Sequence, residues 1–128
     1  MKKILIDEDH ADIRRLIRMT LEFEDCEIHE APDASAGWEQ VQALRPDMVM
    51  LDVMMPGPLN GLDLCRMIKA DATLRHVPVI VLSARGGSND REDGLLAGAD
   101  AYLVKPFSPM QLLEMLGSFS VEGGKAEP

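Results

Sequence analysis

Strand-like runs alternate with segments of helical periodicity along the whole chain. The strand-like runs are Ile4 to Ile6, Glu27 to Ala31, Met48 to Leu51, Val77 to Leu82 and Ala101 to Val104. The third run is apolar at four successive positions, as is typical of a strand that is covered on both faces of a parallel sheet. This alternation predicts five parallel βα units in one α/β domain.

The segments that follow the strands carry apolar residues at helical spacing. The first three helices carry, in chain order, Ile13, Leu16, Ile17 and Leu21; Trp38, Val41 and Leu44; and Leu62, Leu64, Cys65, Met67 and Ile68. The last two run over about Asn89 to Ala97 and from Ser108 to about Leu116. Pro46 ends the second helix, because the residue before a proline disfavours the helical conformation. The last helix begins with a capping box, Ser108-Pro109-Met110-Gln111, that places proline at the first helical position.

Composition limits the chain to a single globular module. Its 128 residues are 46% hydrophobic and 27% charged, which is enough to bury a core. The formal charge of -9 argues against direct binding to nucleic acid or anionic membranes. We expect one folded domain over residues 1–119 and a flexible tail or truncated linker over residues 120–128, because the segment from Val121 is small, polar and rich in glycine.

Several function classes are excluded by what the sequence lacks. No run approaches the roughly 18 apolar residues that span a bilayer, and Met1-Lys2-Lys3 does not open a signal peptide. Cys26 and Cys65 are too few for a disulfide framework and have no metal-binding spacing. These features predict a cytoplasmic protein with reduced thiols.

Candidate chemistry lies directly after the strands, where ligands bind in open parallel α/β sheets. The strand ends carry, in chain order, Asp7-Glu8-Asp9, Asp52, Ser83 and Lys105-Pro106. Clustered carboxylates require a neutralising cation, and oxygen ligands favour Mg²⁺ over Zn²⁺. A carboxylate beside Mg²⁺, with a lysine and a hydroxyl aimed at the same place, suits phosphoryl transfer through an aspartyl phosphate.

These residues resemble the receiver domain of two-component response regulators, from about Lys2 to Phe119. The resemblance implies a flavodoxin-like, doubly wound sheet of five strands in the order 2-1-3-4-5 with five helices. It identifies Asp52 as the phosphoacceptor, Ser83 as the switch hydroxyl and Lys105 as the phosphate-binding lysine. Further implied features are a cis bond before Pro106 and an aromatic switch residue at Tyr102.

The resemblance also implies how the metal is held. Asp9 is the direct Mg²⁺ ligand and Glu8 acts through water, since Arg14 then lies where the first helix of the family often has an arginine. Asp52 and the backbone carbonyl of Met54 complete the ligand set. His10 lies beside this acidic group and could touch it.

Two departures from the family pattern stand out. Asp7 occupies a position that is usually apolar, so it either adds a third carboxylate to the site or reaches solvent. The loop between Asp52 and Gly61 is one residue longer than the common form. Met54 and Arg85 resemble the positions that flank the path of water to the aspartyl phosphate. The apolar Met54 is not expected to orient a hydrolytic water, and the long Arg85 is expected to cover the phosphoryl group, which predicts slow self-dephosphorylation.

We therefore expect a signalling switch rather than an enzyme, with self-phosphorylation and self-dephosphorylation as its only chemistry. A sensor histidine kinase or phosphotransfer protein would phosphorylate Asp52, and an unknown downstream protein would read the result. The domain would be a monomer or a phosphorylation-dependent dimer. A degenerate receiver that only docks partners remains an alternative; an aspartate-nucleophile phosphatase is disfavoured, because Met54 replaces the second aspartate that such enzymes need.

Overall fold

The computed structural model describes residues 2–22, 26–55, 57–83, 88–105 and 107–125. Its strands are β1 (Lys2–Asp7), β2 (Cys26–Ala31), β3 (Met48–Asp52), β4 (Val79–Ser83) and β5 (Ala101–Val104). Its helices are α1 (Ala11–Leu21), α2 (Ala34–Leu44), α3 (Gly61–Ala70), α4 (Ser88–Leu96) and α5 (Pro109–Lys125). Strands and helices thus alternate as the sequence predicted.

The strands form one parallel sheet in the order β2-β1-β3-β4-β5. This order confirms the expected fold class. From β1 the chain adds β2 on one side of the sheet and then β3, β4 and β5 on the other side. In open α/β sheets, ligands bind at the point where the strand order reverses in this way, here between β1 and β3. The carboxyl ends of β1 and β3 are therefore the natural centre of a site.

Helices cover both faces of the sheet, and this explains why its central strands are apolar throughout. Alternate residues of a strand point to opposite faces. Leu5 and Leu51 lie in a core with residues of α2 and α3, whereas Ile6 and Met50 lie in a second core with residues of α1 and α5. All five residues of β3 are buried.

Local signals set several element boundaries. The side chain of Asp33 accepts a hydrogen bond from the backbone N–H of Ala36 at 2.8 Å and caps α2. Asn60 and Asp63 form a capping box at the start of α3. Arg45, just before Pro46, adopts a left-handed conformation with φ of 50° and ends α2 where the proline predicted.

Two of the differences from the predicted element boundaries lie at the start of β4 and at the end of α5. The fourth strand begins at Val79, because Val77 forms a turn by donating its backbone N–H to the carbonyl of Leu74 at 2.9 Å. Helix α5 continues past Leu116 to Lys125. A glycine weakens a helix by only about 1 kcal/mol relative to alanine, so the glycines of this segment do not end it as proline would.

Within the part of the chain that is described, no helix combines the length and apolarity needed to cross a membrane.

Candidate phosphoryl-acceptor site

The parallel register brings four strand ends to one edge of the sheet. Asp52 is paired with Leu82, and Ser83 is paired with Val104. The backbone N–H of Lys105 then donates to the carbonyl of Ser83 at 2.7 Å, which places Lys105 directly beyond β5. Because this alignment comes from backbone pairing, residues far apart in sequence are held side by side.

Lys105 joins the acidic residues at the centre of this edge. Its Nζ lies 2.8 Å from Oε1 of Glu8 and 3.1 Å from Oδ2 of Asp52. The Asp52 residue is only 2% exposed, and Glu8 is fully buried. The predicted convergence of Glu8, Asp52 and Lys105 is therefore present in the structure.

His10, whose side chain is largely exposed, contacts the same carboxylates. Nδ1 of His10 is 2.8 Å from Oε2 of Glu8, 3.2 Å from Oδ1 of Asp9 and 3.9 Å from Oδ2 of Asp52. Ligand atoms from these four residues all lie within 4.8 Å of one another. The sequence indicated that His10 could touch the acidic group, but not that it would contact all three carboxylates.

The donor set fits a divalent cation. Glu8 Oε1, Asp9 Oδ1 and Asp52 Oδ2 are buried, and Lys105 lies 2.8 Å from the first and 3.1 Å from the last. When all three carboxylates are ionised, Lys105 balances only one of their charges. A dication would neutralise the remaining negative charge and bind these oxygen atoms.

Burial and neighbouring charges set the protonation of these groups. Burial, together with the charge of Glu8, raises the pKa of Asp52 to about 6, although Lys105 opposes this shift. Burial also acts to raise the pKa of Glu8, but hydrogen bonds from Lys105 and His10 outweigh it and hold that pKa below its usual range. Glu8 is thus the stable counterion of Lys105, while Asp52 ionises fully only near neutral pH.

Asp7 takes a place that the sequence did not predict. It is fully buried, so the expectation that it reaches solvent is wrong. An added Cβ on Gly37 would lie 1.8 Å from Oδ2 of Asp7, which shows that the carboxyl sits against α2 at this glycine. Asp7 does not belong to the group of four residues whose ligand atoms lie close together.

The environment of Asp7 disfavours its charged form. In the described part of the chain, neither of its carboxyl oxygens has a hydrogen-bond partner. Burial first, and then the charge of Asp33, raises the pKa of Asp7 to about 8. Asp7 therefore carries a proton through much of the physiological pH range.

The loop after β3 keeps Asp52 in position despite its extra residue. Gly61 donates its backbone N–H to the carbonyl of Val53 at 3.0 Å and closes the loop onto the strand end. An added Cβ on Gly61 would lie 1.9 Å from the backbone oxygen of Asp52, so only glycine fits here. Met54 donates its backbone N–H to Oδ1 of Asp52 at 3.3 Å. Met54 itself is 67% exposed.

The remaining site candidates divide into described and undescribed residues. Ser83 is buried at the end of β4, beside the strand that carries Asp52. Tyr102 is partly buried against the core on the α2 and α3 side, and its ring faces Gly94 of α4. Arg85 and Pro106 lie outside the described residues, so their predicted roles stay predictions.

Three contributors were missed or underweighted in the sequence. Gly37 and Gly61 leave space for Asp7 and for the backbone of Asp52, and their only sequence signal is a glycine within or at the start of a helical pattern. Arg14 was noted for its position alone. In the structure its guanidinium donates to the backbone carbonyl of Glu8 at 2.8 Å and fixes the loop that carries the acidic residues.

Comparison with known proteins gives a consistent result. The family model for the response regulator receiver domain matches residues 4–117. The phosphate regulon transcriptional regulatory protein PhoB of Klebsiella pneumoniae is 40% identical over 112 residues, covering 88% of this chain and 48% of that protein. The transcriptional regulatory protein ResD of Bacillus subtilis is 40% identical over 111 residues, covering 87% and 45%. The chain thus spans about half the length of these relatives.

Solved structures share the fold over nearly the whole chain. The chemotaxis response regulator CheY4 of Vibrio cholerae aligns with a TM-score of 0.86 and 28% identity, covering 93% of this chain and 98% of that one. A CheY-like receiver domain protein from Methanospirillum hungatei aligns with a TM-score of 0.88 and 27% identity, covering 99% of each chain.

Proposed function

The chain belongs to the response regulator receiver domain family, and from this premise we propose that it is a signalling switch whose Asp52 accepts a phosphoryl group. The donor is a sensor histidine kinase or a phosphotransfer protein. The observation that carries the proposal is the contact of Lys105 with Glu8 and with the buried Asp52, at 2.8 Å and 3.1 Å. This contact supports the proposal, because a nucleophilic carboxylate and a cation that binds phosphoryl oxygens must lie close together.

The chemistry follows from the surroundings of Asp52. A carboxylate oxygen of Asp52 forms a bond to phosphorus as the bond between phosphorus and the donor's leaving atom breaks. Lys105 stays beside the new phosphoryl oxygens, and Ser83, at the end of the adjacent strand, is the hydroxyl that approaches them. Glu8 keeps Lys105 charged, since both Glu8 and Asp52 raise the pKa of this lysine against the opposing effect of burial.

Mg²⁺ is the metal that we assign to this reaction, held by Asp9, by Asp52 and by the backbone carbonyl of Met54, with Glu8 acting through water. When bound, the ion neutralises charge on the phosphoryl oxygens. The buried oxygens of Glu8, Asp9 and Asp52, whose negative charge Lys105 balances only in part, support this assignment.

The two alternatives are less well supported. A phosphatase with an aspartate nucleophile needs an acid or base two residues beyond it, and the thioether of Met54 cannot exchange protons. A degenerate docking module does not explain why Asp52, Ser83 and Lys105 are all present at one edge of the sheet. We infer a switch with self-phosphorylation and self-dephosphorylation chemistry, and no further catalysis.

The output surface is assigned to α4, β5 and α5. Leu95, Leu96 and Met110 are among the large apolar side chains that these elements expose, and Tyr102 lies between α4 and the sheet. Phosphorylation of Asp52 would change the affinity of this face for a downstream protein or for a second copy of the chain. A cytoplasmic location belongs to the same proposal.

The decisive experiment is phosphorylation by a small-molecule donor. Incubation with acetyl phosphate and Mg²⁺ should add one phosphoryl group to the native chain, measured by intact mass, and none to Asp52→Asn. Asp12→Asn, which changes an exposed carboxylate of α1, is the matched control and should be labelled normally. Equal labelling of Asp52→Asn would overturn the assignment of the phosphoacceptor.

A further inference from the structure

We propose that His10 supplies a nitrogen ligand to the metal site of Glu8, Asp9 and Asp52, and that the site consequently prefers first-row transition-metal dications to Mg²⁺. This inference rests on the proposed function, because it assumes that the metal lies beside Asp52. It changes the expectation drawn from the sequence, in which the ligands were oxygen atoms alone.

The spacing of the donor atoms matches one coordination shell. Octahedral ligands that lie about 2.1 Å from a metal are about 3.0 Å apart when adjacent and about 4.2 Å apart when opposite. Nδ1 of His10 lies 2.8 Å from Glu8, 3.2 Å from Asp9 and 3.9 Å from Asp52. The distances to Asp9 and Asp52, the two direct carboxylate ligands, are close to those of an adjacent and an opposite ligand. The shorter distance to Glu8, which acts through water, is that of a hydrogen bond.

Buried oxygen atoms give an independent reason to place a ligand here. The side chain of Glu8 is fully buried and that of Asp52 is 3% exposed. Glu8 Oε1 and Asp52 Oδ2 lie 2.8 Å and 3.1 Å from the ammonium of Lys105, whose single positive charge does not balance two carboxylates. His10 faces the same carboxylates from the solvent side, where a metal ion would enter.

The imidazole is held in this orientation by its own backbone. The backbone N–H of His10 donates to Oε2 of Glu8 at 3.0 Å, the same oxygen that its ring nitrogen contacts at 2.8 Å. The ring is therefore already placed beside the carboxylates. Because a carboxylate oxygen only accepts, Nδ1 donates its proton in this contact, and on binding a metal it gives up that proton to Nε2 or to solvent. The side chain is 62% exposed, so its replacement should leave the core intact.

A nitrogen donor changes which metals the site favours. Mg²⁺ prefers oxygen ligands and keeps much of its water, whereas imidazole suits nickel, copper and zinc ions. Affinity for a site with nitrogen ligands rises along the first transition row towards copper. His10 should thus contribute much to Ni²⁺ binding and little to Mg²⁺ binding.

The test is a calorimetric titration of the full chain with Mg²⁺ and with Ni²⁺, without a phosphodonor. In His10→Phe, which keeps a ring but removes the donor, we expect Ni²⁺ affinity to fall at least about tenfold and Mg²⁺ affinity to change less than about threefold. His10→Gln should behave in the same way. His76→Phe removes an exposed histidine beyond the other end of the sheet and should match the native chain.

A spectroscopic measurement makes the ligand itself visible. With Cu²⁺, electron paramagnetic resonance should show coupling to a nitrogen nucleus in the native chain and in His76→Phe, and this coupling should disappear in His10→Phe. Unchanged Ni²⁺ affinity in His10→Phe, or an equal loss of Ni²⁺ and Mg²⁺ affinity, would overturn the proposal. Absence of any dication binding by the native chain would contradict the metal assignment of the proposed function as well, while labelling of Asp52 is judged by its own experiment.

Discussion

Asp7 is the residue at which burial and charge conflict most directly. It continues an apolar strand, yet its carboxyl is fully buried and has no hydrogen-bond partner among the described residues. A buried polar group without a partner costs about 1–3 kcal/mol in protein mutational data. Asp7→Val should therefore stabilise the fold by an amount of this order. A clear loss of stability in a metal-free thermal melt would mean that Asp7 has an unseen structural partner.

The same carboxyl should make stability depend on pH. Unfolded aspartate ionises near pH 3.9, whereas burial raises the pKa of Asp7 to about 8 in the fold. Between these values the folded state binds the additional proton, so the free energy of unfolding should fall as pH rises from about 4 to about 8. Asp7→Asn, compared with Asp12→Asn in urea melts with a chelator present, should flatten this dependence; an unchanged slope would show that Asp7 ionises normally.

Met54 should control the lifetime of the phosphorylated state. Its exposed thioether lies two residues beyond Asp52 and cannot orient a water molecule for attack on the aspartyl phosphate. We expect slow self-dephosphorylation of the native chain and faster decay in Met54→Asn, measured as phosphate loss after removal of the donor. Arg85→Glu, added to this variant, extends the test to the sequence-based prediction that Arg85 covers the phosphoryl group. Decay no faster than in the native chain would show that these side chains do not gate water.

At the scale of elements, α2 packs closely against β1 where Gly37 leaves space for the carboxyl of Asp7. Helix propensity predicts that Gly37→Ala would stabilise α2 by up to about 1 kcal/mol. The added Cβ would instead lie 1.8 Å from Oδ2 of Asp7 and 3.0 Å from a methyl of Leu64. We expect a net destabilisation of about 1–3 kcal/mol, because overpacking a buried site costs that much.

A double-mutant cycle isolates this contact. Gly37→Ala should cost much less in an Asp7→Ala background, measured by urea unfolding. Gly117→Ala is the matched control, because Gly117 lies in α5 with nothing within 4 Å of an added Cβ. Equal costs of Gly37→Ala in both backgrounds would mean that Asp7 does not occupy the space beside α2.

For the molecule as a whole, the carboxylates of Glu8, Asp9 and Asp52 at one end of the sheet should make the free energy of unfolding depend on bound dications. The chain carries a formal charge of -9, and several of its carboxylates meet at one end of the sheet. A dication that binds only the folded state at a hundred times its Kd adds about 2.7 kcal/mol of stability. Saturating Mg²⁺ should raise the Tm by several degrees in the native chain and much less in Asp9→Ala. A similar rise in both proteins would place the ion elsewhere.

Local patterns were sufficient to predict the architecture. Strands such as β3 are continuous apolar runs because both faces are covered, and helix starts such as that of α5 are encoded by short capping sequences. Once the strands are parallel, Asp52 and Lys105 must lie at the same edge of the sheet, since each directly ends or follows a strand. The strand order and the roles of these residues came from family resemblance rather than from periodicity.

Only the tertiary structure decided where individual side chains point. Asp7 turns to α2 because Gly37, distant along the chain, leaves room there. His10 lies beside three carboxylates because its backbone N–H donates to Glu8, and because the parallel sheet brings Asp52 to the same edge. The length of α5 also differed from its sequence-based prediction, since glycine weakens a helix without ending it. The sequence by itself determined the alternation of strands and helices and the edge of the sheet at which the candidate site residues meet, because strand periodicity and strand ends are local. The charge and contacts of that edge required the structure, because burial and proximity are properties of packed elements.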